Sequence, residues 1–363
     1  MTNLLDGVRV VELAPLLSGA LAGMTLADLG ADVIKVEPPG GDLLRHVFGA
    51  LAPGFSPPFV QLNRGKRSVT ADMDAEDDRT FVAELARDAD VLVLGYPPSA
   101  VARWGLDEGY LNAPHLIYCR ITGFGADTVY RDQPAHGLTM AAVAGATCGG
   151  ADAGGVSGDG TAAVAVAHAA VEHVTAALVR RASTGQGCSL DVSGAEAMLA
   201  ADVMRVTYET NAGREGVDAA AAEAVLRGPR YAVHRTKGDG AVAFAGVEPR
   251  QWQRFCTATG ATDPGGLPEL FASKTLAEWL ELGRTHRLAL APAYRDAGEA
   301  RTDPALTERG AFVDETSPLY GDFTYLAPPA RVNGQDYRLS GPAPAAGADT
   351  DTVRAELAMR KGV

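Results

Sequence analysis

Short runs of β-branched and aliphatic residues, separated by helix-length stretches of mixed polarity, set the rhythm of the first half of this chain. Val8 to Leu13 (VRVVEL) follows a glycine and is nearly all apolar, the pattern of a strand covered on both faces. Ser18 to Leu29 (SGALAGMTLADL) starts on a capping serine and stops at Gly30, which predicts a helix of small residues. Ala31 to Glu37 (ADVIKVE) is a second strand, ended by Pro38-Pro39-Gly40-Gly41. Strand, helix and strand over roughly 30 residues make a βαβ unit, and therefore a parallel sheet. The alternation continues with the strand Ser68 to Ala71, the amphipathic helix Glu76 to Ala89, and the strands Asp90 to Gly95 and Leu116 to Thr122. Two helix-like runs follow, Leu138 to Ala146 and Thr161 to Ala170; then come a turn at Ser183 to Gly187 and the strand Cys188 to Val192.

The texture changes at Ser193. Residues 193 to 225 are alanine-rich and helical, broken near Asn211-Ala212-Gly213. Tyr231 to Val247 reads as a hairpin turning at Lys237-Gly238-Asp239-Gly240, and Pro249 opens a Trp-containing helix. Residues 275 to 300 read as helical, and Ala311 to Arg331 as strands. The expected fold is α/β: a large domain with a parallel, Rossmann-like sheet (1–192, completed by 326–363), a helical linker (193–225) and a smaller α+β domain (226–325). The loop after the first strand has no GxGxxG, so no dinucleotide fingerprint is read there. No internal repeat is visible.

The net charge of −13 removes the basic footprint that nonspecific nucleic-acid binding needs, so an anionic ligand would require a local basic site. Cys119, Cys148, Cys188 and Cys256 form no CxxC, and His168 and His173 do not share an i,i+4 face; no metal site is expected. The N-terminus lacks a basic segment leading into an apolar core, and no apolar run is read as long enough to span a bilayer, so a cytoplasmic protein without membrane partners is the expectation.

Candidate chemistry concentrates between Gln133 and Ala170. His136 lies just before one helix-like run, and Asp159, in Ser157-Gly158-Asp159-Gly160-Thr161, just before the other. Two ionisable groups at two helix starts could converge on one space, near positive helix ends. Asp159 equally suits a plain helix cap, and His136 an ordinary loop residue. Asn63-Arg64-Gly65-Lys66-Arg67 is the densest basic cluster of this half, either a solvated turn or a phosphate grip. Met140, Met198 and Met204 fit an apolar pocket or the core.

These residues also carry a family resemblance that covers nearly the whole chain. LLDGVRVVELA, SGALAGMTLADLGADVIKVEPPGGD, NRGKRSVTADM, GYPPSAVARWGL, YCRITGFG, RASTGQGCSLDVS and YAVHRTKGDGAVAFAGVEPRQW resemble, in order, segments of the family III CoA-transferases, the CaiB/BaiF group. Transferases of the group typically carry Gly-Tyr-Asp or Gly-Phe-Asp near His136, and α-methylacyl-CoA racemases Gly-His-Asp; here the residues are Ala135-His136-Gly137. The resemblance is therefore closest to the racemases. It implies an isomerase of acyl-CoA (lipid) metabolism that moves a proton at the α-carbon of a 2-methylacyl-CoA thioester through an enolate. His136 and Asp159 would be the acid/base pair, with Glu248 orienting. The alternatives are a CoA-transferase with Asp159 as nucleophile, and a non-catalytic acyl-CoA-binding relative. Lys35, Arg64, Lys66, Arg67 and Arg103 are the candidate contacts to the CoA phosphates. No cofactor beyond that CoA moiety is expected. The resemblance further implies an interlocked homodimer. Two departures stand out: Gly137 replaces the Asp that follows the racemase His, and Ala126 to Tyr130 replaces the usual Gly-Pro.

Overall fold

The computed structural model describes residues 3–146, 159–218, 225, 227–335, 337 and 339–362. It divides into two compact units, Met1–Val203 with Gly310–Val363, and Met204–Arg309.

The first unit is built on six strands: β1 (Arg9–Leu13), β2 (Asp32–Glu37), β3 (Arg67–Thr70), β4 (Val91–Leu94), β5 (Ile117–Thr122) and β6 (Cys188–Ser193). Their order is β3-β2-β1-β4-β5-β6, and every pairing is parallel. The helices are α1 (Leu16–Asp28), α2 (Pro57–Leu62), α3 (Glu76–Asp88), α4 (Pro98–Arg103), α5 (Glu108–Leu111), α6 (Gly137–Val143), α7 (Asp159–Thr184) and α8 (Gly194–Ala201), with a terminal helix at Thr350–Lys361. Successive strand residues point to opposite faces, so the near-continuous apolar strands feed two cores. Val11, Ile34, Val69 and Leu92 pack with Phe81 and Leu85 of α3 and with Val353 and Leu357 of the terminal helix. Val10, Val33, Val91 and Ile117 pack with Leu26 of α1 and with Val166, Ala170 and Val174 of α7.

Four expectations are corrected in the first unit. First, Gly160–Thr184 is long and apolar enough, by length and composition, to cross a bilayer. In this fold its Ala162, Val166, Ala167, Ala170 and Val174 stripe is buried in the core, while His168, Glu172, His173 and Arg180 are exposed. Second, α1 starts at Leu16, two residues before the serine that the pattern selects, because Pro15 takes the N-cap position. Third, the hairpin of Phe312–Ser317 and Gly321–Leu326 belongs to the first unit, whereas the sequence pattern assigns 226–325 to the small domain. Its Tyr320 and Tyr325 are buried against Leu44, Phe55 and Phe59, and the two hydroxyls are hydrogen-bonded at 2.5 Å. The segment read as a linker likewise begins with α8 in the first unit.

The second unit holds α9 (Val203–Thr210) from Met204 onward, then the antiparallel hairpin β7 (Tyr231–Arg235) and β8 (Ala241–Ala245). Its helices α10 (Pro249–Thr259), α11 (Leu267–Ala272) and α12 (Leu276–His286) enclose a core of Phe244, Phe255, Phe271 and Trp279. Residues 275–300 are not one helix. Arg287 closes α12 in the left-handed region (φ 52°), and Leu290–Pro292 then pairs with β8 as a third strand, β9.

Candidate functional site

The strand order reverses between β1 and β4, and the loops leaving the carboxyl ends of those two strands diverge there. A cavity of about 520 Å³ opens at this point. Its walls come from the Pro15–Gly19 turn after β1, the Gly95–Pro98 turn after β4 and Ile121–Gly123 at the end of β5. Leu43, Val47 and Phe48 supply a further apolar wall. His136, Gly137 and Met140 line it from the start of α6, and Ala163 from the first turns of α7.

His136 is the N-cap of α6, and the Thr139 side-chain hydroxyl accepts its backbone N–H at 2.9 Å. The residue is exposed, so the imidazole borders the cavity rather than the core. Arg131 and Gln133 share this rim; neither stood out in the sequence, because both lie in a loop without periodicity. Among the described lining residues the ionisable groups are Tyr96, Arg131 and His136, with no carboxylate. Ala163, one helical turn beyond Asp159 on the same helix face, reaches the wall. The side chain of Asp159 lies outside the described residues. Met140 lines the cavity, Met198 is buried beside it, and Met204 is exposed.

A smaller cavity of about 220 Å³ lies beyond Tyr96, which borders both. Its lining includes Arg103 and Trp104, and also the acidic residues Glu37, Asp72 and Asp74. Burial, reinforced by Asp42 and opposed by Lys35, raises the Tyr96 phenol above its ordinary pKa. The Tyr96 and Trp104 rings meet edge to face at 4.9 Å. Arg103 is exposed there, with its guanidinium 5.8 Å from the Trp104 ring centroid.

The other candidate phosphate contacts are occupied internally. Lys35 stands opposite Glu12 in the β1–β2 register, and its Nζ lies 2.7 Å from Glu12 Oε1 and 2.8 Å from Asp42 Oδ2. Burial opposes its charge, but the Glu12, Asp42 and Glu37 carboxylates outweigh that and hold its pKa above the ordinary lysine value. Lys66 donates to the other Glu12 oxygen at 2.7 Å, to Asn63 and to the Ala20 carbonyl. Burial pushes its pKa down to about 8, with Glu12 opposing and Lys35 adding repulsion. Arg64 is buried in a fork with Asp28, at 3.1 and 2.6 Å. Arg67 pairs with Asp32 and Glu356; it starts β3 and so sits at the amino end of the sheet, opposite the cavity. Four of the five cations therefore neutralise partners that the local pattern does not display; Arg103 is exposed beside the smaller cavity, and the paired Arg67 lines a separate one of about 420 Å³. The signal that could have revealed this is the set of charges inside apolar strands: Glu12, Lys35 and Glu37.

Glu248 belongs to the second unit, where it is the exposed N-cap of α10.

The sequence model described as CoA-transferase family III matches residues 5–350. The chain belongs to CoA-transferase family III. Among its relatives, the probable fatty acyl-CoA transferase of Mycobacterium tuberculosis is 28% identical, over 94% of this chain and 95% of that one. The succinate–glutarate CoA-transferase of Agrobacterium fabrum is 40% identical, over 39% of this chain and 38% of its own length. A crystal structure of the mycobacterial protein superposes with a TM-score of 0.81 at 27% identity, covering 97% of this chain and 98% of that one. A CaiB/BaiF family protein from Brucella suis gives 0.77 at 28% identity, covering 97% and 99%. The α/β architecture with its small antiparallel sheet is thus that of the CaiB/BaiF group.

Proposed function

We propose that this family III protein transfers CoA from an acyl-CoA thioester to an acid acceptor, with the thioester carbonyl seated in the cavity at the β1/β4 reversal. The observation that carries the reading is the placement of His136 and Ala163, at the starts of α6 and α7, on that cavity's wall. Backbone N–H groups at such helix starts are suited to stabilising a developing oxyanion. The relatives named above as transferases support this choice over isomerisation. In the reaction the Asp159 carboxylate attacks the thioester carbonyl, the C–S bond breaks and CoA leaves as the thiolate. A mixed anhydride remains on Asp159. The thiolate then attacks the aspartyl carbonyl of this anhydride, expelling the donor acid as its carboxylate and leaving an aspartyl-CoA thioester. The acceptor carboxylate attacks that thioester and releases the thiolate, which attacks the acceptor carbonyl of the new anhydride to give acceptor-CoA and free Asp159. Arg103 contacts the CoA phosphates, no group beyond CoA is needed, and the working form is a cytoplasmic homodimer.

His136 favours a second reading, α-proton transfer in a 2-methylacyl-CoA. An imidazole at the wall offers a general acid/base group, which the aromatic residue of typical transferases does not.

One experiment separates the two. The protein is incubated with 2-methylacyl-CoA in D₂O, with and without a carboxylic acid acceptor. C2 deuteration and the mass of the Asp159 peptide are followed, alongside His136→Ala and Asp159→Ala. An acyl or CoA adduct on Asp159, lost in Asp159→Ala, supports the transferase. Deuteration impaired in both variants supports proton transfer. Neither signal, with the thioester bound, refutes both.

A further inference from the structure

A single buried carboxylate joins two walls of the large cavity. Asp42 is 3% exposed. Its Oδ1 accepts from the backbone N–H of Leu16 at 3.3 Å and of Leu44 at 2.8 Å, and its Oδ2 meets Lys35 Nζ at 2.8 Å. Leu16 belongs to the turn after β1; Leu44 lies among Leu43, Val47 and Phe48. Lys35 also donates to the Ala14 carbonyl at 3.0 Å, so the same ion pair grips the β1 turn twice. Asp42 is itself fixed, because its N–H donates to Glu37 Oε2 at 2.8 Å, and Arg45 holds Glu37 through two hydrogen bonds of 2.7 and 2.6 Å.

The two segments that this network joins are not relaxed. Leu16 (φ 61°) and Phe48 (φ 66°) sit in the left-handed region that non-glycine residues avoid, so surrounding contacts must impose it. Leu43 and Phe48 are 57% and 70% exposed on the cavity wall, a placement that burial alone would not select. Three buried carboxylates (Glu12, Glu37, Asp42) matched to Lys35, Arg45 and Lys66 are a poor substitute for an apolar core as a source of stability. They do fix geometry.

We propose that Asp42 is a positioning residue for ligand binding: it sets the placement of the Leu16 turn against the Leu43–Phe48 segment, and with it the shape of the cavity's apolar wall. The inference rests on the reading that this cavity takes the acyl part of an acyl-CoA.

The test uses the full chain and Asp42→Asn. The new amide has one acceptor oxygen where the carboxylate had two, so it keeps either the lysine or the Leu16 and Leu44 N–H groups, not both. Two measurements run together. Hydrogen exchange is followed in peptides covering 14–20 and 43–48, and binding is measured for the thioether analogue of decanoyl-CoA and for free CoA. Faster exchange in both segments is expected. Affinity for the analogue should fall about tenfold, the size of one lost hydrogen bond to a charged group, and free CoA by less than about twofold. Both Leu16→Gly and Leu16→Ala remove the same wall side chain, so, added to Asp42→Asn, Leu16→Gly should bind the analogue more tightly than Leu16→Ala, because only glycine adopts the left-handed conformation freely. Unchanged analogue affinity, equal loss for both ligands, or equal affinity of the Gly and Ala double variants overturns the proposal. If Asp42→Asn does not fold, Asp42→Glu, which moves the charge by one methylene, is judged by the same criteria. A parent protein that does not bind the analogue refutes the acyl-CoA reading instead; the exchange result then decides the staple alone, and unchanged exchange in either segment overturns it.

Discussion

Gly23 offers a sharp test of the buried ion cluster. It lies in the middle of α1, where an alanine would ordinarily stabilise the helix by about 1 kcal/mol. A Cβ built there falls 1.9 Å from Glu12 Oε2, and 3.0 Å from both Glu12 Cδ and Lys66 Nζ. Real Cβ atoms do not approach an oxygen so closely, so either the helix or the Glu12 carboxylate must shift. Glu12 has nowhere to go, because one oxygen holds Lys35 and the other Lys66, all fully buried. Overpacking a core in this way costs about 1–3 kcal/mol, and breaking a buried ion pair about 3–5 kcal/mol. Partial displacement of Glu12, less the helix gain, leaves Gly23→Ala destabilised by roughly 2–4 kcal/mol. Urea unfolding measures this as a fall in midpoint at constant slope. Gly160→Ala is the internal control: it is also helical, but with nothing within 4 Å of its added methyl among the described residues. That variant should match the parent or gain up to about 1 kcal/mol. A Gly23→Ala protein as stable as the parent would refute the close approach of α1 to Glu12 and the network built on it.

Two further outcomes follow from the same packing. The Lys66 pKa of about 8 lies below the 10.5 of an unfolded lysine, so between those pH values the unfolded chain binds more protons and this group's contribution to stability rises with pH. The stability difference between the parent and Lys66→Met should therefore shift in the parent's favour from pH 8 towards pH 10.5, by an amount on the order of 3 kcal/mol, and a difference that stays flat excludes a charge-depressed Lys66. Burial pushes the Cys119 thiol up to about 12, with Asp191 and Cys188 reinforcing it. Peptide mapping after iodoacetamide treatment of the folded protein near neutral pH should accordingly find Cys119 unmodified, and its alkylation at the rate of the partly exposed Cys256 would count against its place in the sheet.

Hydrophobic periodicity alone fixed much of this protein. Runs such as VRVVEL and VLVL have no polar face, so they had to be strands covered on both sides, and the helices between them had to cross over to make the sheet parallel. The glycine and proline stops placed the loops at the carboxyl ends of those strands, and His136 at the start of a helix. What the sequence could not settle was partnership over distance. Lys35, Arg64 and Lys66 read locally as cations free to grip an anion; their carboxylates lie 23, 36 and 54 positions away and become neighbours only when β1, β2 and α1 assemble. Arg67 was turned to the amino end of the sheet by the register of β3. The 312–326 hairpin resembled part of a small β domain until Tyr320 and Tyr325 found Phe55 and Phe59, and Leu290–Pro292 became a strand only because β8 had a free edge. Periodicity is a property of neighbours in sequence, whereas charge pairing, edge pairing and the shape of a cavity at a strand reversal are properties of neighbours in space.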